Sequence, residues 1–153
     1  MIIRYEPRHL KPILDYQKEL YGLNFKGLKY DYFFYVGIMN WYQQIGINEE
    51  YDAFVYEENG KVEGFYLIHH DQDIRYLMQM FVSSSYRKKG IGHQLLLHVE
   101  EQAKKNSAKQ VLLEVSDINP SAVSFYKNHG FSSIGENYDE NMDIRYFMQK
   151  NIS

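Results

Sequence analysis

Cysteine is absent from this chain, which excludes a disulfide framework, a thiolate nucleophile and any cysteine-ligated metal. Long apolar runs are missing too. None approaches the roughly 20 residues needed to span a bilayer, and the first residues, MIIRYEPRHLK, lack the apolar core of a signal peptide. A cytoplasmic protein without a membrane partner is the expectation. No global positive field exists either: the net charge is −3, which argues against a general nucleic-acid binder. Low-complexity tracts, internal repeats and linkers are lacking, so residues 1–153 read as one domain. Metal-ligand spacing is absent as well. His93 and His98 are five apart rather than four, no HExxH occurs, and His69 and His70 alternate across a strand. No metal is expected.

Aromatics, by contrast, are plentiful: fifteen tyrosines and nine phenylalanines. Much of the core, and part of any pocket, should therefore be aromatic. Residues 1–5 read as a short strand, and Pro7 opens a helix reaching about Tyr21. Gly22 and Gly27 punctuate a loop before an aromatic helix over residues 31–45. Tyr30, Tyr32, Phe33, Phe34, Tyr35, Trp41 and Tyr42 cluster there; most should pack in the core, the rest lining a groove or a homodimer contact. Two apolar runs flank Asn59-Gly60, a hairpin signal, because that dipeptide tolerates the positive φ angles of a tight turn. Residues 74–82 form a nearly all-apolar, hence central, strand. A charged helix follows, then a buried strand at 109–117 and a helix from Pro120 to about His129 with Gly130 at its end. Strands at 131–134 and 144–149 complete a mixed α/β sheet.

The charged helix opens unusually. Arg87, Lys88 and Lys89 precede Gly90 and Gly92, while Ile91, Leu95, Val99 and Ala103 form a stripe at helical spacing. Glycines at a helix start let backbone approach a ligand, with free N–H groups and the positive dipole end directed outward. That combination suits a phosphate. A Walker loop is excluded because the lysines come before the glycine, and a dinucleotide fingerprint fails at Leu95.

What Arg87-Lys88-Lys89-Gly90-Ile91-Gly92 resembles is the signature of the GNAT acetyltransferase superfamily: Arg or Gln, two variable residues, Gly, one residue, then Gly or Ala. A second block, LEVSDINPSAVSFYKNHGF, is similar to that family's other signature through Asn119, Ala122, Phe125, Tyr126, Gly130 and Phe131. The resemblance is strong over residues 74–131 and weak over the first fifty. It implies a mostly antiparallel sheet of about six or seven strands with about four helices, splaying beside strand 74–82. It also implies acetyl-CoA as co-substrate. The turn from Arg87 through Lys88, Lys89, Gly90, Ile91 and Gly92 to His93 would hold the pyrophosphate, and Phe81 and Val82 would offer backbone to the pantetheine arm. Asn119 would contact the CoA arm, although Asn before Pro is also a natural helix N-cap. Tyr126 would protonate the departing thiolate, although an aromatic beside Ala122 and Val123 also suits a core.

The base is less legible. Transfer to an amine requires its ammonium to lose a proton, which a carboxylate or His usually accepts, often through water. Glu114, inside the apolar run Val111-Leu112-Leu113-Val115, invites an explanation. Some members of the family it resembles, including the enzymes that acetylate ribosomal-protein amino termini, have a Glu at this place acting as base. Glu114 could equally be a solvent-facing strand residue, with His69, His70 and Asp73 as alternatives. Other members carry an acidic residue on the strand corresponding to 74–82, where this sequence has Tyr76, Met78 and Gln79. The resemblance thus implies direct acetyl transfer to a primary amine of unidentified identity in a ternary complex. A non-catalytic acyl-CoA-binding module is the alternative.

Overall fold

The structure, a computed structural model, describes residues 1–25 and 32–152. Its strands are β1 (Ile2–Arg4), β2 (Tyr51–Glu58), β3 (Lys61–Asp71), β4 (Ile74–Val82), β5 (Gln110–Ser116), β6 (Ser132–Tyr138) and β7 (Ile144–Asn151). They form one seven-stranded sheet in the order β1-β2-β3-β4-β5-β7-β6. Every neighbouring pair is antiparallel except β4–β5. The helices are α1 (Leu10–Asn24), α2 (Tyr32–Gln43), α3 (Ile91–Lys105) and α4 (Pro120–Asn128). This is the mixed, mostly antiparallel α/β sheet that the sequence predicts, and the apolar strand β4 is indeed its centre.

Both faces of the sheet are covered. On one, the α3 stripe Ile91, Leu95, Val99 and Ala103 packs with Val111, Leu113 and Val115 of β5 and with Tyr126 of α4. On the other, Ile13 of α1 and Ile38 and Tyr42 of α2 pack with Phe65, Leu67 and Phe81. The β2–β3 hairpin turns through Asn59 and Gly60 with φ of 53° and 77°, the left-handed pair that selects Asn-Gly.

Two irregularities of β4 open the sheet. Leu67 pairs with Gln79 and Ile68 with Leu77, so Met78 is an extra, bulged residue. Regular alternation would place Leu77 and Phe81 on one face. The bulge inverts the phase, so Leu77 joins the α3 side and Phe81 the α1–α2 side. Secondly, β4 pairs with β5 only from Ile74↔Gln110 to Leu77↔Leu113. Beyond that rung the strands diverge, and residues 78–82 present an edge with no strand opposite.

Several expectations need correction. Gly22 lies inside α1, not in a loop. Its position faces solvent, and a Cβ there would meet nothing within 4 Å. The penalty for helical glycine, about 1 kcal/mol, is outweighed by burying Tyr21 one residue earlier. Pro7 opens a 3-10 turn, Pro7–His9, before α1 proper. Gly27, Tyr30 and the predicted helix start at Asp31 lie outside the described residues. Most α2 aromatics are not core: Tyr42 is buried, but Tyr32 and Phe33 are 74% and 82% exposed. A helix covering a sheet buries one stripe, and here Ile38 and Tyr42, four apart, take it. Finally, β6 runs to Tyr138 rather than ending at 134. Its sequence SSIGENY carries no apolar alternation, and pairing with β7 decides its length.

Candidate active site

The β4–α3 connection leaves the backbone of a helix start open. Lys88 and Gly90 take φ of 62° and 83°, a left-handed conformation that lysine adopts only at a cost and glycine adopts freely. Gly90 is the N-cap of α3, and no side chain caps the helix. The first backbone bond of the helix comes from Gln94 to the Gly90 carbonyl at 3.0 Å. The N–H groups of residues 91–93 are therefore left to a ligand. Gly90, Gly92 and His93 line an open cleft of about 870 Å³, so the uncapped helix end fits a phosphate of a cofactor such as CoA.

The side chains of the turn divide their duties. The Arg87 guanidinium donates to the Val82 carbonyl (3.0 Å) and pairs with Glu19 of α1 (3.2 Å), tying the turn to α1. The Lys89 ammonium lies 4.9 Å from the Tyr86 ring centroid and does not border the cleft. Ile91 is a core residue, so its backbone N–H is what it offers. Lys88 borders the cleft. A Cβ on Gly92 would meet the Phe125 ring at 3.5 Å. His93 Nδ1 sits 2.8 Å from His129 Nε2, linking α3 to the end of α4.

The second block converges on the same cleft. Asn119 caps α4, its Oδ1 accepting from the Ala122 N–H at 3.3 Å, so the N-cap reading holds while the residue still borders the cleft. Tyr126 also lines it. Its ring is wedged against Phe125 and Phe131, and its hydroxyl makes no hydrogen bond among the described residues. Burial pushes the phenol well above its ordinary value of 10.0, so it stays protonated. Phe81 and Val82 line the cleft where β4 has no β5 partner; Phe81 is paired with Phe65 of β3, and the Val82 carbonyl already accepts from Arg87.

Glu114 enters from the opposite face of β5, because it alternates with the core residues Leu113 and Val115. It borders the cleft and is hydrogen-bonded by Arg145 Nε. Tyr76 stands nearby, its hydroxyl pushed upward first by burial and then by the Glu114 charge. His69, His70 and Asp73 do not join the site. His69 and His70 lie near the end of β3 and Asp73 in the turn before β4, outside the cleft lining, and His69 faces Glu50 and Tyr51.

The cleft thus combines an uncapped helix end, a protonated tyrosine and a carboxylate. Among known proteins, the model of the acetyltransferase (GNAT) family matches residues 14–131. The chain belongs to this family. It is 30% identical over 99 residues to the [ribosomal protein bS18]-alanine N-acetyltransferase of Escherichia coli K12, covering 63% of this chain and 67% of that one. It is 32% identical over 95 residues to streptothricin acetyltransferase A of Bacillus subtilis, 55% of each chain. A PaiA N-acetyltransferase from Thermoplasma acidophilum, solved with coenzyme A, superposes with a TM-score of 0.78 at 19% identity, covering 99% of this chain and 98% of that one. As a GNAT acetyltransferase the chain is an enzyme of a family that uses acetyl-CoA.

Two features of this GNAT enzyme's cleft escape sequence reasoning. Gln17 of α1 and Gln79 of β4 exchange amide bonds of 3.0 and 2.7 Å, and Tyr42 of α2 donates to Gln79 Oε1 at 2.9 Å. Gln17 and Tyr42 are buried. The only sequence signal is a polar residue within each of two apolar patterns. The other feature is Arg145, a charge inside β7 that becomes legible once β7 is registered against β5.

Proposed function

We propose that the chain moves the acetyl group of acetyl-CoA to a primary amine by direct attack in a ternary complex, acting as a single domain in the cytoplasm. One observation carries this reading. Tyr126 and Glu114 approach from opposite faces of β5 and meet in one cleft, where β4 and β5 part beyond Leu77↔Leu113. The cofactor thus has the α3–α4 side and the acceptor the α1–α2 side, with the unpaired edge of β4 between them. The relative solved with coenzyme A supports the cofactor half.

The thioester supplies the activated acetyl group. The amides of residues 91–93 and Lys88 hold the pyrophosphate, and backbone at Phe81 and Val82 bonds the pantetheine arm. Asn119 adds a polar contact to that arm. Glu114 receives the proton that the acceptor ammonium must lose, directly or through water. The amine nitrogen then attacks the carbonyl carbon, the C–S bond breaks, Tyr126 gives its proton to the departing sulfur, and the second proton shed by the nitrogen as the amide forms restores the phenol, directly or through water. A phenol kept protonated by burial and free of protein partners among the described residues suits that donation, and a merely CoA-binding module has no use for it. The absence of cysteine excludes an acyl-cysteine relay.

Calorimetric titration with acetyl-CoA, with ATP as comparison, tests the cofactor half. CoA release with a panel of amines, peptide amino termini included, tests the acceptor half. Micromolar acetyl-CoA binding with amine-dependent CoA release is expected; binding without release on any amine returns the reading to a non-catalytic module.

A further inference from the structure

Arg145 takes no part in the proposed transfer, yet it sits where the acceptor half of the cleft is closed. In the β5–β7 ladder Ser116 faces Arg145 and Glu114 faces Phe147. Glu114 and Arg145 are therefore diagonal neighbours on one face of the sheet, within reach of a long side chain. Nε of Arg145 donates to Glu114 Oε1. Nη1 donates to the carbonyl of Asn24, the last residue of α1, at 3.2 Å. The guanidinium carbon lies 4.4 Å from the ring centroid of Phe25, the residue that ends α1. The side chain is only 13% exposed, so this geometry is imposed by packing.

One guanidinium thus joins a β5 carboxylate, an orphan carbonyl at a helix C-terminus and an aromatic face. Each contact uses something special to arginine: a planar fork, a fixed charge and a stacking surface. All four residues border the cleft. Glu114 Oε2 makes no hydrogen bond to the described residues, so one carboxylate oxygen is pinned and the other is left for a ligand. The groups facing Glu114 are Arg145 from β7 and Tyr76 from β4.

We infer that Arg145 is the positioning residue of the acceptor site: it aims Glu114 Oε2 into the cleft and ties the end of α1 over it. The inference rests on the proposed amine transfer, with Glu114 as the group that meets the acceptor. Without Arg145, Glu114 loses its only partner among the described residues and can rotate away, and the end of α1 loses its anchor.

A double-mutant cycle tests the coupling. Arg145→Gln should lower kcat/KM for the amine by at least about tenfold, through kcat as well as KM, with acetyl-CoA affinity within about twofold of wild type. In a Glu114→Gln background the same change should cost several-fold less, leaving only the part that comes from the α1 anchor. Arg145→Lys should recover part of the loss. Equal losses in both backgrounds would overturn the inference, since a merely structural arginine acts whether or not Glu114 is present. A second arm needs no turnover. Hydrogen exchange of the Phe25 amide, bonded to the Tyr21 carbonyl at 2.9 Å, should quicken in Arg145→Gln while α3 amides stay unchanged; unchanged exchange at Phe25 also overturns it. If wild-type protein releases CoA with no amine, the proposed function fails, and the exchange arm still decides whether Arg145 holds α1.

Discussion

Leu77 and Leu113 face each other across the last rung that joins β4 to β5. One residue further, Met78 bulges out of the ladder with β3. The two events share a location and a consequence. The bulge turns Gln79 toward α1 and α2, and the lost pairing frees the β4 edge as far as Val82. A continuous sheet would bury that edge and close the cleft between Glu114 and Tyr126.

Substitutions in the turn should separate charge from sterics. A methyl at Gly92 meets the Phe125 ring at an ordinary 3.5 Å, so Gly92→Ala should bind acetyl-CoA nearly normally. Gly92→Asp sets a carboxylate beside the phosphates and should weaken binding by at least about tenfold. Gly90→Ala, at φ +83°, should also cost about 1–2 kcal/mol of stability. Calorimetry and denaturant melts measure these effects. Normal binding by a folded Gly92→Asp protein would remove the cradle.

Tyr126→Phe keeps the ring contacts to Phe125 and Phe131 and loses only the hydroxyl. Turnover should fall by about 100-fold, within the usual range for a positioned acid, while stability and acetyl-CoA affinity hold. Steady-state kinetics beside a thermal melt decide it, and an unchanged kcat rules out the acid role.

The Gln17–Gln79–Tyr42 cluster should behave as a unit. Gln17→Leu strands the Gln79 amide and should cost about 1–3 kcal/mol. Adding Gln79→Leu should recover part of that, since both amides are then gone, although Tyr42 is left without its acceptor. Because Gln17 and Gln79 both line the cleft, the amine KM should rise in either variant before that of acetyl-CoA. Chemical denaturation and two-substrate kinetics test this. Full additivity of the two stability losses would show that the amides do not act together.

Acid should weaken the fold. His98, whose Nδ1 lies 2.7 Å from the Tyr66 hydroxyl, is held below its ordinary 6.5, chiefly by burial. His70 is lowered too, by burial and then by Arg75. A folded state that protonates less readily than the unfolded chain gains its full benefit above 6.5 and loses it as pH falls through the lowered values. Denaturation midpoints should therefore drop between about pH 7 and pH 5, less steeply in His98→Gln. Equal slopes in the two proteins would exclude His98 as a contributor.

Periodicity and turn chemistry alone determined the Asn59-Gly60 hairpin, the α3 stripe, the central apolar strand and the two glycine-rich and Asn-Pro blocks. Each is written in residues that are local neighbours, where a period of two or of 3.6 or a positive φ leaves a direct trace. The Gly90–Gly92 turn, Tyr126 and Glu114, which the fold gathers at one cleft, were legible as candidates for the same reason, joined to the family resemblance. Only the tertiary structure decided where the ladder ends, which face follows the Met78 bulge, how far the polar edge strand β6 runs and why most α2 aromatics stay outside the core. It alone brought Arg145 to Glu114 and Gln17 to Gln79, pairs that are 31 and 62 residues apart. Contacts at that separation depend on strand register and helix docking, which no local pattern encodes.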